Sequence, residues 1–94
     1  MDKLTVFYQP LCPFCKKAFR FIEELKEENP EFGKIEIETI DEIKNAALAD
    51  TYDYYYVPTF YVGKKKIHEG GIFKDEVRAL LQSVLDGTEF KASK

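Results

Sequence analysis

Long apolar runs are missing from this chain. None approaches the ~20 residues that a membrane helix needs, so a spanning segment is not expected. No secretory leader is expected either. Met1-Asp2-Lys3-Leu4 runs straight into a strand-like pattern, with no apolar stretch or small-residue cleavage site behind a basic start. The expectation is a soluble, cytoplasmic protein. There is also no excess of basic residues: 14 lysines and arginines face 17 aspartates and glutamates, a net charge of -3. Nucleic acid is a poor fit as a ligand, because phosphate contacts need a basic surface. Cysteine is scarce, with Cys12 and Cys15 the only two, too few for a secreted disulfide scaffold. Neither an internal repeat nor a linker is visible. With 94 residues and 45% hydrophobic content there is material for one core and not for two. Residues 1–94 therefore read as a single domain with its core over about 4–86.

What is present is strongly patterned. Leu4 to Tyr8 (LTVFY) is β-branched and aromatic and stops at Gln9-Pro10, which reads as a buried strand entering a loop. Ala18, Phe19, Ile22 and Leu25 then recur at helical spacing, with charged residues filling the other face. Pro13 suits a first helical turn, where its missing N–H is not needed, and Asn29-Pro30 ends the run. A helix over about residues 13–28 follows. Lys34-Ile35-Glu36-Ile37-Glu38 alternates like a half-exposed strand, parallel to the first. Asp41 is placed to cap a second helix that includes Ile43, Ala46, Ala47 and Leu48.

Thr59 to Val62 and Lys66 to Glu69 are short strand runs joined through Gly63-Lys64, a hairpin signal. Lys64-Lys65-Lys66 reads as a solvated turn. Val77, Leu80, Leu81, Val84 and Leu85 form an apolar stripe that predicts a helix over 74–86, with Gly87 just past its end and a frayed tail over 91–94. The order β-α-β-α-β-β-α predicts an α/β fold: a four-stranded mixed sheet with helices on both faces.

The chemistry is concentrated in Cys12-Pro13-Phe14-Cys15, where a strand ends and a helix begins. A helix N-terminus carries partial positive charge and unpaired N–H groups, which favour a thiolate over a thiol, and Cys12 gains most from this. Cys15, one turn in, is within reach of a short disulfide and more shielded. The implied reaction is thiol–disulfide exchange. The Cys12 thiolate attacks a substrate disulfide, and Cys15 then attacks Cys12 to release reduced substrate, leaving a Cys12–Cys15 disulfide. A zinc site is disfavoured, since zinc wants four ligands and the other N/S candidate, His68, is far along the chain. No metal and no bound cofactor are expected beyond the redox-active cysteine pair.

These residues resemble the thioredoxin/glutaredoxin superfamily over about residues 4–86. Pro13-Phe14 between the cysteines is similar to the Pro-aromatic pair of dithiol glutaredoxins. The segment from Asn45 through Tyr52, Val57-Pro58-Thr59-Phe60, Gly70 and Lys74 looks more like thioredoxin. The combination resembles a small glutaredoxin-like thioredoxin. The resemblance implies a thioredoxin fold and a cis Val57-Pro58 bond facing the cysteines. It also implies that the Val57 backbone pairs with an extended substrate, and that Pro58 keeps a backbone donor away from the sulfurs.

Two departures stand out. The position six before the first cysteine, a buried carboxylate in thioredoxins, is Val6, so proton handling at Cys15 runs through water or a nearby lysine. The positions by which glutaredoxins hold glutathione carry Gln9 and Phe73-Lys74, which weakens the implication of a dedicated glutathione site.

The resulting expectation is a monomeric dithiol oxidoreductase that reduces protein disulfides. Its catalytic residues are Cys12 (nucleophile) and Cys15 (resolving), with substrate contacts from Pro13, Phe14, Tyr56, Val57 and Pro58. Electrons come from a flavin disulfide reductase of the thioredoxin reductase kind, or from glutathione. The alternatives are a glutathione-dependent glutaredoxin, a metal- or cluster-binding module sharing its cysteines across a dimer, and a non-catalytic interaction domain. Four tyrosines within Tyr52 to Tyr56 precede Val57. Tyr52 and Tyr54 are expected to pack, and at least one of Tyr55 and Tyr56 to line the groove beside Cys12.

Overall fold

Strand β1 (Leu4–Tyr8) is the centre from which the domain is built, and its first four side chains are buried. The computed structural model describes residues 3–90, so the tail expected over 91–94 lies outside the described residues. After β1 come α1 (Pro13–Glu28), a 3-10 turn (Pro30–Lys34), β2 (Ile37–Asp41), α2 (Ala46–Ala49), β3 (Thr59–Val62), β4 (Lys65–Glu69) and α3 (Lys74–Asp86). The sheet order is β2-β1-β3-β4. β1 pairs parallel to β2, with Leu4 opposite Ile37, and antiparallel to β3, with Leu4 opposite Val62. β3 and β4 form the hairpin expected at Gly63, whose φ of 62° suits a residue without a Cβ. The mixed sheet and the seven expected elements are present.

Alternation along the strands sends side chains to two cores. On one face, Leu4, Val6 and Phe60 meet Ala18, Ile22 and Leu25 of α1 and Val77, Leu80, Leu81 and Val84 of α3. On the other, Phe7, Ile40 and Tyr61 meet Ala49 of α2, with Tyr52, Tyr54 and Val57 packed against them. The aromatic rings interlock there: Phe7 lies 4.7 Å from Tyr52 and 5.1 Å from Tyr54, and Tyr61 lies 4.8 Å from Tyr52. α1 and α3 are also tied at the surface, where Lys74 Nζ reaches Glu24 at 3.0 Å and Glu28 at 2.6 Å. α3 ends in a Schellman arrangement. Thr88 N donates to Ser83 O at 2.9 Å and Gly87 N to Val84 O at 3.3 Å, with Gly87 at φ 69°.

Two local expectations change. The second strand begins at Ile37 rather than Lys34. Pro30 opens a 3-10 turn, started by Asn29 Oδ1 accepting from Glu31 N at 3.1 Å, and this turn buries Phe32 before Ile35 follows it into the core. The alternation at Ile35 and Ile37 thus spans a connection and a strand. The second helix is one turn long and excludes Ile43. Asp41 Oδ1 accepts from Ile43 N at 2.9 Å and Lys44 N at 3.3 Å, so the carboxylate caps a turn ahead of the helix and Ile43 is left exposed. The three lysines are exposed, as expected of a solvated turn, and two of them make surface contacts. Lys64 Nζ sits 3.9 Å from the centre of the Tyr52 ring, and Lys66 pairs with Glu69 at 2.6 Å.

Candidate active site

The loop after β1 ends where Cys12 N donates to Gln9 O at 3.2 Å, and Pro13 begins α1. Cys12 is therefore the N-cap, with extended backbone, and its sulfur receives the Cys15 amide at 3.2 Å. That amide is one of the helix donors with no partner inside the helix, and the Cys12 sulfur supplies its acceptor. The two thiols are unbonded. Cys12 is partly exposed, whereas Cys15 is 1% exposed. Burial pushes the Cys15 thiol up to about 12, and the hydrogen bond with Cys12 adds to the rise. One helical turn thus carries an accessible sulfur and a shielded one that holds its proton tightly.

The facing wall comes from the other end of the fold. Val57-Pro58 is a cis peptide, Pro58 is fully buried, and the Cys12 thiol points at Val57 O at 3.8 Å. Pro58 O receives Gly70 N at 2.8 Å, which binds this loop to the segment after β4. Thr59 Oγ1 donates to Tyr56 O, closing the turn locally. Cys12, Cys15, Val57 and Pro58 are thus brought together. Phe14 is 59% exposed and lies over Gly71, where an added Cβ would meet its ring at 3.2 Å. Tyr56 is 70% exposed and flanks Gly70, where an added Cβ would stand 3.9 Å from its own. Tyr56 thus stands beside Gly70, and Phe14 beside Gly71, the next residue. Tyr55 is more exposed still, and lines a shallow hollow with Ile43 and Tyr54 beside α2.

Two arrangements at the site have no counterpart in the sequence reading. Glu69, at the end of β4, accepts from Tyr55 N at 2.5 Å and Tyr56 N at 2.9 Å. Lys66 and these two amides hold its carboxyl down at about 2. Glu42, just after β2, receives the Tyr54 hydroxyl at 2.6 Å and a Gln9 amide, linking the second core to the loop that carries Cys12. Burial and then Glu42 push the Tyr54 hydroxyl upward. No sequence signal joins these residues, since each pair is distant along the chain and meets through the sheet. Among the described residues no group of three His, Cys, Asp or Glu side chains could hold a metal ion, and no helix is long and apolar enough to cross a membrane.

A dithiol at a helix N-terminus, opposed by a cis-proline loop on a β2-β1-β3-β4 sheet, defines a thiol–disulfide oxidoreductase of thioredoxin fold. The family profile described as "Thioredoxin" matches residues 2–85. The chain belongs to the thioredoxin family. It is 35% identical over 60 residues to a thioredoxin of Methanocaldococcus jannaschii, covering 64% of this chain and 68% of that one. It is 36% identical over 61 residues to a probable thioredoxin of Methanothermobacter marburgensis, with the same two coverages. The solved structure of a mutant thioredoxin from Halobacterium salinarum superposes with a TM-score of 0.64 over 97% of this chain and 76% of that one. At 24% identity this likeness speaks for the fold alone.

Proposed function

We infer that the protein reduces disulfides in other proteins, with Cys12 as nucleophile and Cys15 as resolving thiol. The observation that carries this reading is the asymmetry of the pair. The Cys12 sulfur is reachable and receives the Cys15 amide at 3.2 Å, while the Cys15 thiol is buried behind it. A Cys12 thiolate attacks one sulfur of a substrate disulfide and expels the other as a thiolate, forming a mixed disulfide. Cys15 then gives up its proton and attacks Cys12 Sγ. The Cys12–Cys15 bond forms and the second substrate thiolate leaves. Two electrons and two protons from an external reductant restore the dithiol.

Val57 presents backbone beside the attacking sulfur, where an extended substrate strand can pair as in strand addition. Pro58 contributes no N–H to compete with it. Pro13, Phe14 and Tyr56 supply the adjoining surface. The donor suited to this role is a flavin-containing disulfide reductase of the thioredoxin reductase kind, with glutathione the second candidate because Pro13-Phe14 separates the cysteines. The cytoplasm, where such reductants keep thiols reduced, is the matching compartment.

Insulin reduction tests the reading, with NADPH and thioredoxin reductase in one arm and glutathione with its reductase in the other. Cys12→Ser should abolish turnover, and Cys15→Ser should accumulate mixed disulfides. Full activity of Cys12→Ser overturns the assignment, and the faster arm identifies the donor class.

A further inference from the structure

Beside the dithiol, between α1 and residues 71–73, lies an open groove of about 300 Å³. Its walls are apolar, made by Phe14, Phe21, Ile72 and Phe73. Phe14 begins it, so the groove starts at the residue between Pro13 and Cys15. Gly71 lets that ring settle close to the backbone, since a Cβ there would stand 3.2 Å from it. Phe14 and Phe73 remain 59% and 78% exposed, large rings left in water along a groove that starts between the two cysteines.

The rim is basic. Lys17 and Arg20 lie three and six positions after Phe14 on α1 and also line the groove. Their charges are not neutralised as those nearby are. Lys74 is paired with Glu24 and Glu28, and Arg78 with Glu28 and Asp75. Lys17 makes no ion pair among the described residues. Arg20 meets Glu24 only through Nε at 3.8 Å, in an exposed pair of little strength, and its guanidinium otherwise stands 5.5 Å from the Phe21 ring. A chain of net charge -3 thus holds, beside an apolar groove that begins at Phe14 between its two cysteines, one lysine with no ion pair among the described residues and one weakly paired arginine.

We propose that this groove docks the segment flanking the attacked cysteine in a partner protein, and selects a large apolar side chain adjacent to an aspartate or glutamate. The apolar side chain covers the exposed rings, and the carboxylate meets Lys17 and Arg20. Attraction at this rim favours acidic partners and repels basic ones, which is the form that charge-based discrimination takes. The proposal rests on the reading that Cys12 attacks protein disulfides.

The test uses pre-reduced full-length protein and three peptides, each with one cysteine and oxidised to its own intermolecular disulfide. One carries Leu-Asp beside the cysteine, one Leu-Lys and one Gly-Asp. Reduction rates are divided by the same protein's rate on hydroxyethyl disulfide, which is too small to reach the rim. At low ionic strength the Leu-Asp peptide should be reduced about three- to tenfold faster than the Leu-Lys peptide, a range set by two exposed charge pairs. The preference should shrink at about 0.5 M salt, where screening is strong. Lys17→Glu with Arg20→Glu should invert it. Phe73→Ala should bring the Leu-Asp rate down toward that of Gly-Asp.

Equal rates on the Leu-Asp and Leu-Lys peptides, or a preference that survives the double charge reversal, overturn the proposal while leaving the redox reading intact. Failure to reduce hydroxyethyl disulfide at all overturns the redox reading, and this proposal with it.

Discussion

Glu69 accepts a hydrogen bond from the backbone amide of Tyr56 at 2.9 Å, across a separation of 13 positions. The same carboxylate oxygen takes the Tyr55 amide at 2.5 Å, and the other takes Lys66 Nζ at 2.6 Å. The end of β4 therefore anchors the loop that delivers Val57 to Cys12. The anchor acts on backbone, so it sets the loop's position whatever the tyrosine rings do.

This anchor has a definite pH signature. The Glu69 carboxyl is held at about 2 in the folded protein, mainly by Lys66, against an ordinary glutamate value of ~4.3. The unfolded chain binds more protons between those values, so stability rises with pH through that window and its Glu69 share is lost as pH falls from about 4 toward 2. Urea midpoints at pH 5 and pH 2.5 should fall further in the wild type than in Glu69→Gln. Equal falls would remove Glu69 from the account. At neutral pH Glu69→Gln should raise KM for insulin more than it lowers kcat, because the loop is displaced and the cysteines are not.

The buried member of the dithiol should be silent to alkylating agents. In reduced, folded protein at neutral pH, iodoacetamide should label Cys12, and Cys15 should react only after unfolding, as read by peptide mass mapping. Its thiol is raised to about 12 from an ordinary ~8.5, so the folded state keeps a proton that the unfolded state has lost. Reduced protein should therefore lose stability as pH climbs above about 8.5. Cys15→Ala should lose less. Equal labelling rates for the two cysteines would contradict the burial that creates this asymmetry.

Tyr54 joins the second core to the loop of Cys12 through Glu42, at 2.6 Å. Tyr54→Phe keeps the ring on Phe7 and leaves the carboxylate one partner short. A loss of about 1.5–3 kcal/mol in chemical denaturation is expected, the range for a hydrogen bond to a charged group. An unchanged denaturation midpoint would mean that water replaces the hydroxyl without cost.

The two glycines after β4 should respond differently to the same substitution. Gly70 has φ +92°, so Gly70→Ala should cost about 1–2 kcal/mol from backbone strain. Gly71 shows no such angle, and an added methyl would meet the exposed Phe14 ring, which can swing aside. Gly71→Ala should change stability by no more than about 0.5 kcal/mol. Thermal melts of both variants would show whether conformation or contact governs this turn.

Much of the fold was legible because its signals are local. The bounds of α1 and α3 follow from Pro13, Asn29-Pro30, the Val77 to Leu85 stripe and Gly87, each a constraint acting within a few residues. The Gly63 turn is of the same kind. Legibility failed where two local rules competed. Asp41 could cap a helix or a turn, and the nearer amides of Ile43 and Lys44 won, which shortened α2. Ile35 and Ile37 share a parity, but Ile35 caps the end of the 3-10 turn and pairing begins only at Ile37 opposite Leu4.

By itself, then, the sequence determined the order of elements, the faces they bury and the placing of Cys12 at a helix start, because periodicity and capping are properties of neighbouring residues. Tertiary structure alone decided what surrounds that sulfur. Val57 reaches Cys12 across 45 positions, Glu69 reaches Tyr55 across 14, and Glu42 reaches Tyr54 from the far edge of the sheet. Such meetings depend on strand order and register, which are settled by burying two cores at once, and no stretch of chain encodes them locally.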